Sequence, residues 1–446
     1  MKKLIIILSV CLVYSLSFAQ AISAKLDEFL ASYARQNKFN GTALVAQKGK
    51  ILLEKGYGLK DAALSSMDDV NTIYQIGSVT KQFTSAIILG LQEQKKMSVK
   101  DKLSKYFPDF PNGDKITVEN LLTHTSGIYN YTNDSKFMAD EITHAYTRDR
   151  MIALFKDKPL DFEPGSKWSY SNSGYMMLGY IIEKVTGKPY EQLVHETILQ
   201  PLHMDHTGFD FTHLKSTDKA IGYLVLDNSN KAIAPIVDSS VSFAAGALYS
   251  TVGDLYKWER SIYSNTVLKP ESWKIAFTPF MNKYGYGWFM DSLFGRPVIR
   301  HGGGIHGFNS NLLRIPQDEI AIILLNNKNN GQLDEITKGL AAIVLGEKYE
   351  LLKERVSITV KDSILQLYAG EYELSPVFKI TVRFENGALK GQATGQPAFD
   401  MYAEKENLFF LKAVDAQVEF FKGADGKIEK MIFYQNGAQI PGKKIK

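Results

Sequence analysis

A serine and a lysine three residues apart are the first side chains in this sequence that could do chemistry together. Ser78 precedes Lys81, and the apolar residues that follow predict a helix beginning here. Residues three apart share a helix face, so the Lys81 amine can reach the Ser78 hydroxyl. The pKa of Lys81 must fall about three units from the usual ~10.4 if the amine is to act as a base near neutral pH, and burial supplies such a shift. Ser78 is therefore a candidate nucleophile, with a helix-capping serine as the alternative.

The same spacing occurs again at Ser216 and Lys219. A chain of this length should contain about two such pairs by chance, so the spacing alone is not specific. Ser216 lies in a polar stretch, and the adjacent Asp218 would keep Lys219 charged. We therefore predict that Ser78, and not Ser216, is the nucleophile.

A second candidate motif is Tyr170-Ser171-Asn172. In an extended segment, residues two apart point the same way, so Tyr170 and Asn172 can face one cleft. A phenol beside a cationic lysine is easier to ionise and can relay a proton, and an amide can orient a substrate carbonyl and hydrogen-bond the lysine. The alternative is a loop tyrosine followed by an asparagine that begins a helix.

The third motif is His301-Gly302-Gly303-Gly304, directly after a predicted strand at Val298–Arg300. The three glycines carry no side chains, so a substrate backbone could lie against this strand end and pair with it. The backbone N–H of Gly304 could also form an oxyanion hole with the backbone N–H of Ser78. Histidine has an ordinary pKa of ~6.5, so His301 should be mostly neutral at pH 7 to 8, and substrates with a carboxylate should gain below about pH 6.5. A glycine-rich turn is the alternative.

The three motifs together resemble the active site of one group of enzymes. The chain is similar to the penicillin-binding protein and β-lactamase superfamily of serine hydrolases, in particular to its class C-like branch of D-amino-acid peptidases and esterases. The resemblance extends from about Leu26 to Leu345. It includes two stretches, 121–128 and 175–187, that are similar to structural segments of that group.

The resemblance implies a role for each residue. Ser78 would be the nucleophile, Lys81 and Tyr170 would share general-base work, Asn172 would position the substrate, and His301 would stand where the group has a strand lysine. The predicted activity is acyl transfer through an acyl-enzyme, on peptides with D-residues, small esters or related amides. The alternatives are a β-lactamase and, from another class, a catalytically silent binding or sensor protein on the same scaffold. No cofactor and no metal site are predicted.

The order of predicted elements indicates an α+β fold. We expect an antiparallel sheet flanked by helices, with a mostly helical insert, in a hydrolase domain at 21–348. A linker and a C-terminal β domain are predicted at 349–446. The β domain is expected to be a small antiparallel barrel, because its sequence predicts hairpin turns at Asn386-Gly387, Asp425-Gly426 and Asn436-Gly437. The opening Tyr368-Ala369-Gly370-Glu371-Tyr372 resembles that of a lipocalin-like domain.

Residues 1–20 have the basic, apolar and small-residue pattern of a secretory signal peptide, so we expect export to the periplasm or the exterior. The only cysteine, Cys11, lies inside this segment, which leaves no thiolate chemistry and no disulfides to the mature chain. The net charge of +4 falls to +2 without Lys2 and Lys3. This near-neutral balance does not indicate nucleic acid as a partner, and no later stretch predicts a transmembrane segment. The expected partner is a small-molecule or peptide substrate, and the sequence predicts no oligomeric state.

Overall fold

A computed structural model describes residues 20–227, 230–329, 332–353, 355–411, 416–435 and 438–446. The predicted signal peptide, apart from its last residue, and the predicted turn at Asn436-Gly437 lie outside these ranges. Two compact units are present, one ending at Leu352 and one beginning at Lys353. The sequence predicted a boundary four residues earlier, between 348 and 349. Tyr349 and Leu352 are apolar residues that pack against a core of the first unit.

The first unit contains a six-stranded antiparallel sheet, whose strands are β1 (Gly41–Gln47), β2 (Lys50–Tyr57), β9 (Phe289–Leu293), β10 (Arg296–Ile305), β11 (Phe308–Ile315) and β12 (Ile320–Asn326). Their order in the sheet is β2-β1-β12-β11-β10-β9. The short strands that form two-stranded pairs are β3 (Leu59–Asp61), β4 (Ser66–Met67), β5 (Tyr74–Gln75), β6 (Tyr223–Leu226), β7 (Lys231–Ile233) and β8 (Tyr249–Ser250).

The helices of this unit are mostly in the middle of the chain. They are α1 (20–35), α2 (Thr80–Glu93), α3 (Leu103–Tyr106), α4 (Val118–Leu122), α5 (Ser135–Asp140), α6 (Arg148–Ala153), α7 (Asn172–Thr186), α8 (Tyr190–Val194), α9 (Ser239–Gly246), α10 (Val252–Ser264), α11 (Pro270–Ala276) and α12 (Leu333–Leu345). The expected α+β fold, with a sheet built from both ends of this unit and a helical insert, is confirmed. Runs of apolar residues between turn signals predict a strand at Ile320–Asn326 and a helix at Leu333–Leu345, and β12 and α12 have these bounds.

Both faces of the central strands are apolar, because the sheet lies between two hydrophobic cores. Along β12, Ile322 and Leu324 belong to the core that also contains residues of α1 and α12. The alternate residues Ile323 and Leu325 belong to the core of the helical insert, which includes the apolar residues of α2 from Phe83 to Leu91. This two-sided burial places α2 in the core on one side of the sheet, and α2 begins two residues after Ser78.

The second unit is a closed antiparallel barrel of eight strands preceded by α13 (Asp362–Tyr368). The strands are β13 (Gly370–Ser375), β14 (Phe378–Glu385), β15 (Ala388–Ala393), β16 (Ala398–Ala403), β17 (Leu408–Phe410), β18 (Ala416–Lys422), β19 (Ile428–Gln435) and β20 (Ala438–Lys444). The predicted small all-β barrel is confirmed. Asn386 and Gly387 both have positive φ, as a two-residue hairpin turn requires.

The predicted two-residue turn at Asp425-Gly426 is wrong. The connection between β18 and β19 spans 423–427, with Gly423 donating its N–H to the Lys427 carbonyl. A register shift between Phe421 and Lys422 accompanies this longer connection, since a bulge changes which residues face each other.

Candidate active site

Ser78 lies in a tight helical turn at the start of α2. The turn is a 3-10 helix, Gly77–Val79, and the α-helix itself begins at Thr80. Gly77 has φ +50, and a Cβ at this position would lie 2.9 Å from the Gly304 backbone nitrogen. Glycine is therefore required before Ser78 for both conformation and space. It allows the Gly304 segment of β10 to approach the nucleophile.

Three oxygen atoms surround the side-chain amine of Lys81. The Nζ atom lies 2.9 Å from Ser78 Oγ, 2.8 Å from Asn172 Oδ1 and 2.8 Å from the Ala245 carbonyl oxygen. The predicted contact between Lys81 and Ser78 is therefore present. Its physical basis is the shared helix face of residues three apart.

The protonation state of Lys81 follows from its surroundings. The side chain is fully buried, and burial lowers its pKa well below the ordinary value. A neutral amine has two N–H groups and one lone pair. The amide Oδ1 of Asn172 and the Ala245 carbonyl can only accept, so they take the two N–H groups. The lone pair is left for the hydroxyl proton of Ser78.

Asn172 is the first residue of α7, and two contacts fix its orientation. Its backbone N–H donates to Asn130 Oδ1 at 3.0 Å, and its side-chain Nδ2 donates to Thr132 Oγ1 at 3.2 Å. With Nδ2 held by Thr132, Oδ1 faces Lys81. The sequence predicted that this amide would hydrogen-bond the lysine, and the two groups are in contact.

Tyr170 lies just before α7, with its ring centroid 4.8 Å from Lys81 Nζ. Burial raises the pKa of its phenol far above the ordinary value, and hydrogen bonding with Ser78 lowers it by less. The expectation of an easily ionised phenol is therefore wrong. It assumed a cationic lysine, whereas burial favours the neutral form of both groups.

His301 is buried, and both ring nitrogens have partners inside the protein. Nδ1 lies 2.6 Å from the Gly302 carbonyl, so it carries the proton, and Nε2 accepts from the Tyr284 hydroxyl at 3.1 Å. Burial lowers the pKa of His301 to about 3, because the low-dielectric interior disfavours the charged imidazolium. The expected gain of positive charge below pH 6.5 is therefore wrong. The neutral state expected at pH 7 to 8 agrees with this pKa.

Gly302, Gly303 and Gly304 lie inside β10 rather than after it. β11 pairs with β10 from Ile299 to Ile305, but β9 pairs only with Arg296–Arg300. In the pairings of the described strands, the glycine segment thus has a neighbour on one side only. A Cβ on Gly303 would lie 2.0 Å from the Ile76 carbonyl oxygen, so this glycine allows close packing beside the nucleophile turn.

Two cavities meet at Ser78. One, of about 380 Å³, is lined by uncharged residues that include Tyr131, Met138, Asn172, Val237, Val241 and Ile305. The other, of about 450 Å³, is lined by residues that include Tyr170, Arg300, His301, Gly302 and Asp334. We call these the amide-side cavity and the phenol-side cavity, after Asn172 and Tyr170.

A charged pair lines the phenol-side cavity. The Arg300 guanidinium lies 3.2 Å from Asp334 and 4.0 Å from Asp291. Asn311 Nδ2 also donates to Asp334, at 3.2 Å. Neighbouring residues on a strand point to opposite faces, so Arg300 points toward α12 while His301 points toward Tyr284. No motif in the sequence distinguishes Arg300, although it directly precedes His301.

The second Ser-x-x-Lys pair lies away from these residues. Ser216 is exposed, and the Lys219 amine reaches the Thr212 carbonyl at 3.3 Å. Asp218 pairs with Lys60 at 3.1 Å rather than with Lys219, so the expected reason for a charged Lys219 is wrong. Burial lowers the pKa of Lys219, and the neighbouring Asp210 opposes that shift.

Sequence reasoning also missed two partners of the motif residues. No sequence signal points to the Ala245 carbonyl, because every residue has a backbone carbonyl. His124 belongs to the 121–128 stretch that the sequence analysis assigned to structure alone. It accepts the Ser171 N–H at 3.1 Å, directly beside Tyr170.

Within the described ranges, no three His, Cys, Asp or Glu side chains are grouped so that they could hold a metal ion. None of the helices in the same ranges is both long and apolar enough to span a bilayer.

Comparison with known proteins agrees with this architecture. The beta-lactamase family model matches residues 20–345, and a domain of unknown function, DUF3471, matches residues 354–444. Penicillin-binding protein 4* of Bacillus subtilis (strain 168) is 27% identical over 443 residues, which cover 93% of this chain and 97% of that protein.

Two solved structures are also similar. The octameric penicillin-binding protein homologue from Pyrococcus abyssi has a TM-score of 0.67 at 24% identity, covering 94% of this chain and 99% of that one. A D-stereospecific amidohydrolase from Streptomyces sp. has a TM-score of 0.61 at 26% identity, covering 71% of this chain and 99% of that one.

The fold and the family match together place the chain in a class of beta-lactamase-like and penicillin-binding-protein-like serine hydrolases. The chain belongs to the beta-lactamase family.

Proposed function

We propose that this protein is an exported serine hydrolase that forms an acyl-enzyme on Ser78. The observation that carries the proposal is the environment of Lys81. Two acceptors, Asn172 Oδ1 and the Ala245 carbonyl, take the N–H groups of a neutral amine whose third neighbour is Ser78 Oγ. An amine held in this way is ready to accept the serine proton.

Acylation then follows from the positions of these groups. Ser78 Oγ attacks the substrate carbonyl carbon as its proton moves to Lys81 Nζ. The backbone N–H groups of Ser78 and Gly304 stabilise the oxyanion. When the bond to the leaving group breaks, Tyr170 donates its phenolic proton to that group and regains one from the Lys81 ammonium. The opposite pKa shifts of Lys81 and Tyr170 support this division into base and acid.

Deacylation reverses the proton movements. A water molecule attacks the acyl-enzyme while its proton passes to Lys81 through Tyr170. The ester bond to Ser78 breaks, and Ser78 Oγ takes a proton from the Lys81 ammonium as the acid product leaves. Lys81 and Tyr170 therefore return to their neutral forms with no net change.

The two cavities assign the two halves of the substrate. Since Tyr170 protonates the leaving group, that group lies in the phenol-side cavity. The acyl group lies in the amide-side cavity, where Asn172 positions its carbonyl or amide. Among the described residues that line the amide-side cavity there is no Lys, Arg, Asp or Glu, which favours an uncharged acyl group.

The proposed substrates are peptides with D-residues, small esters or related amides. The likeness to a D-stereospecific amidohydrolase supports a substrate that contains a D-residue. The single-sided pairing of Gly302 and Gly304 supports a peptide backbone added along β10, with His301 behind it. Export is supported by the signal-peptide pattern of residues 1–20.

Active-site labelling tests the proposal. Intact-mass analysis after treatment with a fluorophosphonate should show one adduct per chain, lost in Ser78→Ala and kept in the matched Ser216→Ala variant. Turnover of a D-peptide, a small ester and a chromogenic cephalosporin then separates the proposed class from a β-lactamase. A silent binding protein would give no adduct and no turnover, which would overturn the proposal.

A further inference from the structure

His124 holds the chain on both sides of Tyr170. Its backbone carbonyl accepts the Ser169 N–H at 3.0 Å, and its ring Nδ1 accepts the Ser171 N–H at 3.1 Å. These two donors are the residues directly before and after Tyr170. One residue thus fixes the backbone that carries the phenol, in a segment without helix or strand.

The ring of His124 also supports the phenol directly. Its centroid lies 4.2 Å from that of Tyr170, and it further contacts the rings of Tyr284 and Tyr175 at 4.7 and 5.1 Å. The backbone of His124 has φ +59, a positive value that few non-glycine residues adopt, although histidine does so more often than most. Such a conformation persists when its surroundings over-determine it.

The chemistry of the ring indicates why a histidine stands here. Because Nδ1 accepts an N–H, the proton of the neutral ring is on Nε2. Nε2 is buried without a hydrogen-bond partner among the described residues, so its N–H loses the hydrogen bond that water would give it. Burial also lowers the pKa of His124 well below its ordinary value, so the ring stays neutral. A purely packing role would be filled without that cost by an apolar ring.

We infer that His124 is the positioning residue of Tyr170, an inference that rests on the proposed role of Tyr170 as proton carrier. Through the hydrogen bond at Nδ1 and the contact of its ring with that of Tyr170, His124 holds the Tyr170 phenol over Lys81 and beside Ser78. His124 itself exchanges no proton with substrate. Removing the acceptor lets the 169–171 segment shift, and the proton transfer through Tyr170 slows.

The test compares a substitution that keeps an acceptor at position 124 with one that removes it. His124→Asn offers an amide oxygen near the position of Nδ1 and tolerates positive φ. His124→Phe keeps a ring but has no acceptor. The substrate is a small ester. For the Phe variant we expect kcat to fall roughly 10- to 100-fold with KM nearly unchanged, because a catalytic group is misplaced while substrate binding is kept. For the Asn variant we expect kcat to stay within about fivefold of wild type. If the Phe variant does not fold, His124→Ala replaces it.

A double-mutant cycle separates positioning from general stability. In the Tyr170→Phe background, His124→Phe should change kcat by less than about twofold, because the group it positions is gone. An equal fall of kcat in both backgrounds, or a His124→Asn variant as slow as His124→Phe, would overturn the inference and leave the proposed function intact. Wild-type turnover by Tyr170→Phe alone would instead overturn the proposed role of Tyr170, and this inference with it.

Discussion

The backbone carbonyl oxygen of Ala245 lies 2.8 Å from the side-chain amine of Lys81, although 164 residues separate them in the sequence. The carbonyl comes from α9, whose Phe243 has the non-helical angles φ 36 and ψ −134. With Asn172, this carbonyl occupies both N–H groups of the neutral lysine. The lone pair is directed to Ser78 for this reason, and the base function depends on it.

Asn172→Asp should move the pH dependence of acylation to higher pH. A carboxylate 2.8 Å from Nζ favours the ammonium form and raises the Lys81 pKa, so less neutral amine is present at pH 7. We expect acylation at pH 7 to fall roughly tenfold or more for each unit by which the pKa rises above that pH. Labelling rates from pH 6 to 10 measure the shift.

Asn329→Asp is the matched control for this change. Asn329 lines the same cavity, and its Oδ1 accepts the Gly307 N–H at 3.2 Å, a role that a carboxylate keeps. An equal shift in both variants would show a general effect of cavity charge. No shift in Asn172→Asp would contradict the assignment of Lys81 as base.

Substrate choice should not change with pH through His301. Because its pKa lies near 3, the ring stays neutral from pH 8 to pH 5.5, and the ratio of kcat/KM for carboxylate over neutral substrates should stay constant. A wild-type ratio that rises below pH 6.5 would mean that the ring titrates and reaches the substrate.

Arg300 and Asp334 should control leaving groups that carry a carboxylate. The pair is partly exposed, at 30% and 74% of the side chains, so a substrate carboxylate can replace Asp334 on the guanidinium at little cost. We expect Asp334→Asn to raise kcat/KM for such substrates about three- to tenfold, and Arg300→Gln to lower it similarly, on the scale of a hydrogen bond to a charged group.

Neutral esters serve as the control for the Arg300 and Asp334 variants. Their kcat/KM should stay within about twofold of wild type, since they make no ion pair with Arg300. The double variant should remove the gain caused by Asp334→Asn. Equal losses for neutral and charged leaving groups in Arg300→Gln would refute the selectivity.

Asp68→Asn should stabilise the protein more at pH 8 than at pH 5. Burial raises the pKa of Asp68 to about 7, while the hydrogen bond from Tyr74 opposes that shift. The folded state therefore binds a proton that the unfolded chain releases near pH 4, and wild-type stability falls as pH rises from 4 to 7, by about 1.4 kcal/mol per unit. An asparagine has no such dependence.

Scanning calorimetry at the two pH values measures this difference. The gain in Tm of Asp68→Asn over wild type should be several degrees larger at pH 8. Asp69→Asn is the control, because Asp69 directly follows Asp68 but its own carboxylate is half exposed and pairs with Lys60 at 3.5 Å. A gain independent of pH would contradict a buried, protonated Asp68.

The sequence by itself determined the relationships that are local along the chain. The contact of Lys81 with Ser78 follows from helix geometry, and the bounds of β12 and α12 follow from runs of apolar residues between turn signals. The Asn386-Gly387 hairpin follows from the need for positive φ at both positions. The α+β class followed from the order of such elements.

Only the tertiary structure decided the relationships that depend on burial and on distant segments. It brought the Ala245 carbonyl to Lys81 and the ring of His124 to Tyr170. It also kept the Tyr170 phenol neutral and lowered the pKa of His301 to about 3, contrary to the sequence-based expectations. The physical reason is that a pKa shift measures removal from water, and removal from water results from packing among residues that no local pattern connects.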